Sequence, residues 1–236
     1  MWLLDARFRG DDSGRAGDSG ARIALILERV KEMDFDLSEE QRLLKESVDG
    51  LLTDSYDFEQ RKKYMKEKGG WSKAVWGKLA EQGLLGLPFA EEDGGFGGGG
   101  VETGIVMEAL GKSLVLEPYL ATVVVGGGFL RHGGSAEQKA VYVPGIVDGS
   151  KTFAFAQLEK NSRYDLHDVA TTAKKKGGAY VIDGEKFVVL NGENADTLIV
   201  TVRTKGERRD KSGVGVFLVP ANAKGVTKKS YPTQDG

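Results

Sequence analysis

The sequence predicts an α+β chain: an all-helical N-terminal part followed by an antiparallel β-barrel or sandwich. Two observations carry this, and a third, equally open to ordinary surface variation, suggests two units. From Leu37 to about Gly149 the apolar residues recur at helical spacing, and after Ser150 the period changes to two. No helix of useful length separates the later strands, which argues against a doubly wound sheet. The charge changes with the period: residues 33–149 carry 12 basic and 19 acidic side chains, and residues 150–236 carry 15 and 10.

The elements follow in order. Residues 1–32 are rich in Gly, Asp and Arg with few core-forming residues, the composition of a disordered N-terminal extension. The helical part then spans 33–149. Ser38-Glu-Glu-Gln41 reads as a capping box, in which the serine oxygen accepts from the Gln41 amide and the glutamine reaches back. Leu44, Val48, Leu51 and Leu52 form one face behind it. A second helix opens at Trp71-Ser72, with Val75, Trp76 and Leu79 inward and a stop near Gly83. Ile105, Val106, Ala109 and Leu110 mark a third. A fourth runs from Pro118 to about His132. Ser135-Ala-Glu-Gln138, a second capping box, starts a fifth that Pro144 should end. In the β-part, 150–236, strands are predicted at 152–159, 168–174, 179–182, 186–190, 196–204 and 213–220. Hairpin turns are expected at Asp183-Gly184 and Gly177-Gly178.

Composition narrows the function classes. The chain is 236 residues, 40% hydrophobic and 29% charged, with a net charge of −2, which gives no case for nucleic acid or an anionic membrane. There is no cysteine and there are two histidines, His132 and His167, so thiolate chemistry and a Cys/His metal site are disfavoured. No apolar run approaches 18 residues, and the first residues do not form a signal peptide, so a cytoplasmic protein is expected. "GGFGGGG" contains Gly95-x-Gly97-x-x-Gly100, but the strand before and βαβ unit around a dinucleotide fingerprint are missing, so it reads as a loop between helices.

Residue-level stretches then point further. "GLLGLPFAEEDGGFGG" (83–98), "MEALGKSL", "GSAEQKAVYVPGIVDGS" and "DGEKFVVLNGENADTLIVTVRT" resemble, in the right order, segments of the acyl-CoA dehydrogenase family. The resemblance spans about 33–236. It implies a helical N-terminal domain, a middle β-domain and FAD. It also implies α,β-dehydrogenation of an acyl-CoA thioester, in which a carboxylate takes the α-proton and the flavin accepts the hydride. "MDFDLSEEQRLLKESVDGLL", "LEPYLATVVVGGGFLRHGGS", "FAQLEKNSRYDLHDVATTA" and "YPTQDG" resemble the small-subunit branch of pimeloyl-CoA dehydrogenases, which works beside a homologous large subunit on dicarboxyl-CoA thioesters. Electron-transfer flavoprotein is a further partner the family implies.

The same resemblance assigns a flavin-facing wall to Phe155, Gln157, Leu158, Val188 and Leu190, and a substrate-side position to Tyr164. Several depart from the family pattern. Leu158 stands where a threonine meets the isoalloxazine edge, and Tyr164 where a serine approaches the cofactor phosphates and substrate. Val188 replaces an aromatic, and Leu190 a hydroxyl residue near the reactive nitrogen. Each lost hydrogen bond is worth roughly 0.5–1.5 kcal/mol. Plain β-core packing is the alternative for Phe155, Val188 and Leu190, whereas the Gln157 amide needs a polar partner. Glu159 matches a β-domain glutamate, not the catalytic one. No residue of 1–236 is assigned as catalytic base; the base is expected in a C-terminal helical domain beyond Gly236, so the chain reads as a truncated product, inactive alone. Two rival readings stand beside this one: a non-catalytic partner subunit, and a soluble ligand-binding protein outside the family.

Overall fold

The computed structural model describes residues 2–4, 36–231 and 233. The extension read at 1–32 therefore lies outside the described residues, apart from Trp2–Leu4, which form a short strand, β1, antiparallel to the last strand of the sheet.

Helix α1 (Glu39–Ser55) begins with both capping-box bonds in place, Gln41 N–H to Ser38 Oγ at 3.1 Å and Ser38 N–H to Gln41 Oε1 at 3.0 Å. The Gln41 side chain also donates to Glu102 Oε1 at 2.7 Å, and Glu102 Oε2 accepts from the Gly99 amide at 2.7 Å. One glutamine thus ties the N-terminus of α1 to that of α4 (Gly100–Lys112). Between them lie α2 (Phe58–Tyr64), capped by Asp57 and missed in the sequence, and α3 (Lys73–Glu81). A short 3-10 turn follows at Glu91–Asp93.

The fourth expected helix is present as two continuous pieces, a π-helix at Leu120–Gly126 and α5 (Gly127–Gly133). The π-helix lies on the sheet, and its Thr122 hydroxyl accepts from the Phe153 amide at 3.1 Å. Helix α6 (Ala136–Val147) passes through Pro144 instead of ending there. Proline removes one amide donor but does not forbid another turn. The helix stops at Asp148–Gly149, where Gly149 takes the left-handed conformation (φ 75°) that ends helices.

The glycine run after α3 has a packing cause. A Cβ on Gly95 would sit 2.6 Å from the Gly86 carbonyl oxygen and closer still to that of Phe89, and one on Gly98 would lie 2.8 Å from that of Leu87. The loop folds back on backbone that cannot give way. We predict that Gly95→Ala costs at least about 2 kcal/mol in urea denaturation. Gly50→Ala, on an exposed turn of α1 with nothing within 4 Å, should instead gain roughly 0.5–1 kcal/mol.

The β-part comprises β2 (Phe153–Ala156), β3 (Thr172–Lys176), β4 (Ala179–Asp183), β5 (Thr197–Arg203) and β6 (Val214–Pro220). The sheet is mixed, not purely antiparallel. β6 pairs antiparallel along one side of β5; the other side is shared by β2, parallel over its first half, and β3, parallel at Arg203. Parallel neighbours need long crossovers; here irregular segments, 157–171 and 184–196, supply them, so no helix announced them in the sequence. The Gly177-Gly178 hairpin forms between β3 and β4, with Lys176 opposite Ala179. Asp183-Gly184 does not turn a hairpin: Gly184 (φ 155°) leaves β4 beside Thr171.

One core joins both parts. Leu79, Leu85, Phe89, Tyr119 and Leu130 pack with Phe153, Ile199 and Leu218 of the sheet. A second, smaller core covers the other face, built on Val200, Val202 and Phe217.

Candidate functional site: an apolar wall held by a buried ion pair

Segment 186–190, expected as a strand, is a loop. Both sides of β5 are already occupied, which leaves it no partner there. It is held at three points. Phe187 N–H donates to the Leu158 carbonyl at 2.8 Å, the Asn191 side chain donates to the Phe153 carbonyl at 3.2 Å, and the Lys186 ammonium is buried beneath. Val188 and Asn191 adopt φ of 51° and 59°. Left-handed backbone is uncommon for any side chain and an outlier for a β-branched one, and such strain persists only where the surroundings impose it.

The result is a face of exposed apolar side chains. Phe187, Val188 and Leu190 are 47%, 50% and 56% exposed, and Leu158, brought beside them by the Phe187 bond, is also exposed. The Tyr231 ring lies 6.3 Å from that of Phe187. The Phe187 bond thus links Leu158 to the segment that carries Val188 and Leu190, and these two side chains are about half exposed in this structure. Phe155 is half-buried on β2, packed against the main core with its ring 4.7 Å from that of Phe129. Gln157 follows directly after β2 and is half-buried. Tyr164 is 97% exposed in the 157–171 crossover.

Beneath the wall lies a pair that sequence reasoning did not assign to the site. Lys186 Nζ and Glu159 Oε1 are 2.7 Å apart, with side chains 8% and 7% exposed. Lys186 also donates to the Gln157 carbonyl at 3.2 Å and to Thr201 Oγ1 at 2.9 Å, which accounts for all three ammonium protons. Glu159 accepts from the amides of Ala170 at 2.8 Å and Thr171 at 3.0 Å. Burial pushes the Glu159 carboxyl up, but the Lys186 ammonium and the Thr171 and Ala170 amides outweigh it and hold the group at about 2. The same burial pulls Lys186 down, Glu159 offsetting it only in part. The available signal was the spacing: Glu159 follows Gln157-Leu158, and Lys186 precedes Phe187-Val188.

A second buried acid behaves oppositely. Glu117, in the helical part, accepts from the Ser72 amide at 3.1 Å; burial pushes its carboxyl up, with Tyr56 and nearby amides opposing. The signs differ accordingly. Glu159 contributes stability above the ordinary glutamate range, lost as pH falls toward about 2. Glu117 contributes below that range and loses its contribution as pH rises through its raised value. Thermal melts should therefore show Glu159→Gln destabilised at neutral pH with the gap narrowing in acid. Glu117→Gln should match the parent in acid and gain on it as pH rises.

Among the described residues no group of three or more His, Asp or Glu side chains could hold a metal ion, and no helix is long and apolar enough to cross a membrane. Residues 38–150 match the model of the acyl-CoA dehydrogenase N-terminal domain, and residues 154–236 that of the acyl-CoA dehydrogenase middle domain. The chain belongs to the acyl-CoA dehydrogenase family. It is 30% identical over 197 residues to the probable acyl-CoA dehydrogenase YngJ of Bacillus subtilis, covering 83% of this chain and 51% of that protein. It is 29% identical over 229 residues to the mitochondrial long-chain specific acyl-CoA dehydrogenase of Mus musculus, covering 93% and 52%. Among solved structures, the ChsE4-ChsE5 complex of Mycobacterium tuberculosis superposes with a TM-score of 0.71 at 29% identity, over 82% of this chain and 50% of that one. The FAD complex of an acyl-CoA dehydrogenase from Bacillus anthracis gives 0.74 at 26%, over 85% and 35%. The chain spans about half the length of the curated acyl-CoA dehydrogenases it matches.

The wall meets the demands of a flat heteroaromatic ring in part. Exposed Leu158, Val188 and Leu190 offer an apolar face, and Gln157 is the single amide side chain among the five wall positions. A flavin pairs an apolar ring system with a polar edge; the apolar side chains here suit the ring, and Gln157 with nearby backbone groups would be the polar groups available to the edge.

Proposed function

We propose that this chain is part of a flavin-dependent acyl-CoA dehydrogenase subunit, and that Phe155, Gln157, Leu158, Val188 and Leu190 form its FAD-facing wall. The observation that carries this is the backbone bond from Phe187 to the Leu158 carbonyl, which ties exposed Leu158 to the segment bearing exposed Val188 and Leu190, with the buried Lys186–Glu159 pair joining the flanks of both segments. When bound, FAD supplies the acceptor for a hydride leaving the β-carbon of a CoA thioester. The wall's own work is to orient a ring and keep water from one of its faces; Phe155, braced by Phe129, backs it. Tyr164 stands on the substrate side of this reading, free to meet an incoming thioester. The carboxylate that takes the α-proton is assigned to no residue of this chain.

The substrate is a dicarboxyl-CoA thioester such as pimeloyl-CoA, and the partner a homologous large subunit. Support for a partner comes from solved relatives described as two-protein assemblies, ChsE4-ChsE5 and Tcur3481-Tcur3483. An electron transferring flavoprotein of Acidaminococcus fermentans is also among the similar structures, and an electron-transfer flavoprotein is proposed as redox partner. The site of action is the cytoplasm.

Anaerobic addition of pimeloyl-CoA and of monocarboxyl thioesters of matched length to the full-length protein with its partner tests this. Loss of the oxidised-flavin absorbance band with the dicarboxyl thioester first is expected. A full flavin complement that no thioester reduces would refute the dehydrogenase reading. A second reading, a non-catalytic partner subunit, draws on Leu158 and Leu190, apolar where the family resemblance leads one to expect polar contacts. Flavin carried wholly by the large subunit would favour it.

A further inference from the structure

We propose that Lys186 and Glu159 are positioning residues of the wall: their buried ion pair clamps segment 157–158 against segment 187–190 and thereby sets the surface a flavin meets. The proposal rests on the wall being a flavin site. Neither residue needs to touch the ring.

The geometry is economical. Lys186 immediately precedes the exposed apolar residues of one segment, and Glu159 immediately follows Leu158, the exposed apolar residue of the other. Their 2.7 Å contact joins the two flanks, and the Lys186 bond to the Gln157 carbonyl fixes the backbone of the one wall residue with a side-chain amide. Each partner is anchored to a different part of the sheet, Lys186 to Thr201 on β5 and Glu159 to the amides of Ala170 and Thr171 just before β3. The clamp is therefore referenced to the sheet and not only to the loops. From Lys186 onward the chain is committed: Phe187 bonds to Leu158, Val188 is driven into the left-handed region, and Asn191 is caught by Phe153. Without the clamp, a loop carrying three exposed apolar side chains and two positive-φ residues keeps only the Phe187 and Asn191 hydrogen bonds to hold this conformation.

The test separates positioning from stability. Lys186→Met alone leaves Glu159 buried without its partner, so its effects are mixed. The double variant Lys186→Met/Glu159→Gln removes both charges, keeps a side-chain carbonyl as acceptor for the amides of Ala170 and Thr171, and should recover most of the melting temperature. Flavin binding by full-length protein is then measured by equilibrium titration, together with the bound-flavin absorbance spectrum. If the pair positions the wall, the double variant melts near the parent yet binds flavin roughly tenfold to a hundredfold more weakly, the range that outer-shell partners carry at metal sites, with a shifted spectrum. Lys186→Arg should recover part of the affinity. Parent-like affinity and spectrum in the double variant would overturn the proposal. Hydrogen exchange at the Phe187 amide gives a readout independent of flavin. Protection lost in the double variant while β5 and β6 stay protected supports the clamp, and retained protection overturns it. A parent protein that takes up no flavin overturns the reading of the wall itself, whichever way the Phe187 amide behaves.

Discussion

Replacing Lys186 with methionine is expected to cost about 3–5 kcal/mol of folding stability at neutral pH, the range for removing one member of a buried ion pair. The residue is not close-packed for volume alone: its ammonium uses all three protons, on Glu159, Thr201 and the Gln157 carbonyl. Methionine fills similar space and satisfies none of them. Glu159 would stay buried, still receiving two amides but facing no cation, and its carboxyl would rise from about 2. Urea denaturation should thus show a large loss at pH 7 that shrinks as pH falls, first as the raised carboxyl of the variant takes up its proton and then as the parent's does toward about 2. A loss below about 1 kcal/mol would mean that the pair is solvated in solution.

Arg203→Met should be of similar size, about 4 kcal/mol. The guanidinium is buried at the end of β5 and donates to the carbonyls of His167 (2.6 Å), Ser212 (2.7 Å), Arg208 (2.8 Å) and Asp210 (3.0 Å). Bonds from a charged donor contribute roughly 1.5–3 kcal/mol each and do not add fully. The four acceptors belong to two loops, 157–171 and 204–213, which Asp168 also joins through Arg208 and Arg209. Arg203→Lys keeps the charge but not the planar fork, so it should recover only a minor share. Limited proteolysis should cut both loops in Arg203→Met and neither in the parent.

The same contacts explain what could and could not be read in the sequence. Helices were legible where local chemistry decides them: the Ser38 and Ser135 capping boxes form as written, and Val48, Val75, Leu79 and Val106 are buried as their spacing implies. α2 is too short to show a period, and Pro144 misled because a proline costs a helix one bond and not its continuation. The strands of the sheet were legible from alternation, but their directions were not, because parallel pairing depends on crossovers that here have no helix. Segment 186–190 reads as a short apolar run between turn dipeptides, as a strand would, and is none: Phe187, Val188 and Leu190 are exposed, and the lysine at its start is buried in an ion pair. Its partner, Glu159, lies 27 positions away. The wall positions came from family resemblance. Their meeting required the folded chain, since the Leu158–Phe187 bond crosses two irregular segments.

The proposed flavin wall is tested most directly by the flavin content of the purified full-length protein, alone and with a homologous large subunit. Protein concentration and flavin released on denaturation are measured together. The wall described here predicts FAD released in about one equivalent per copy of this subunit, falling sharply when Val188 and Leu190 are both changed to aspartate while the melting temperature holds. Flavin accounted for entirely by the large subunit, or unchanged by the two aspartates, would contradict it.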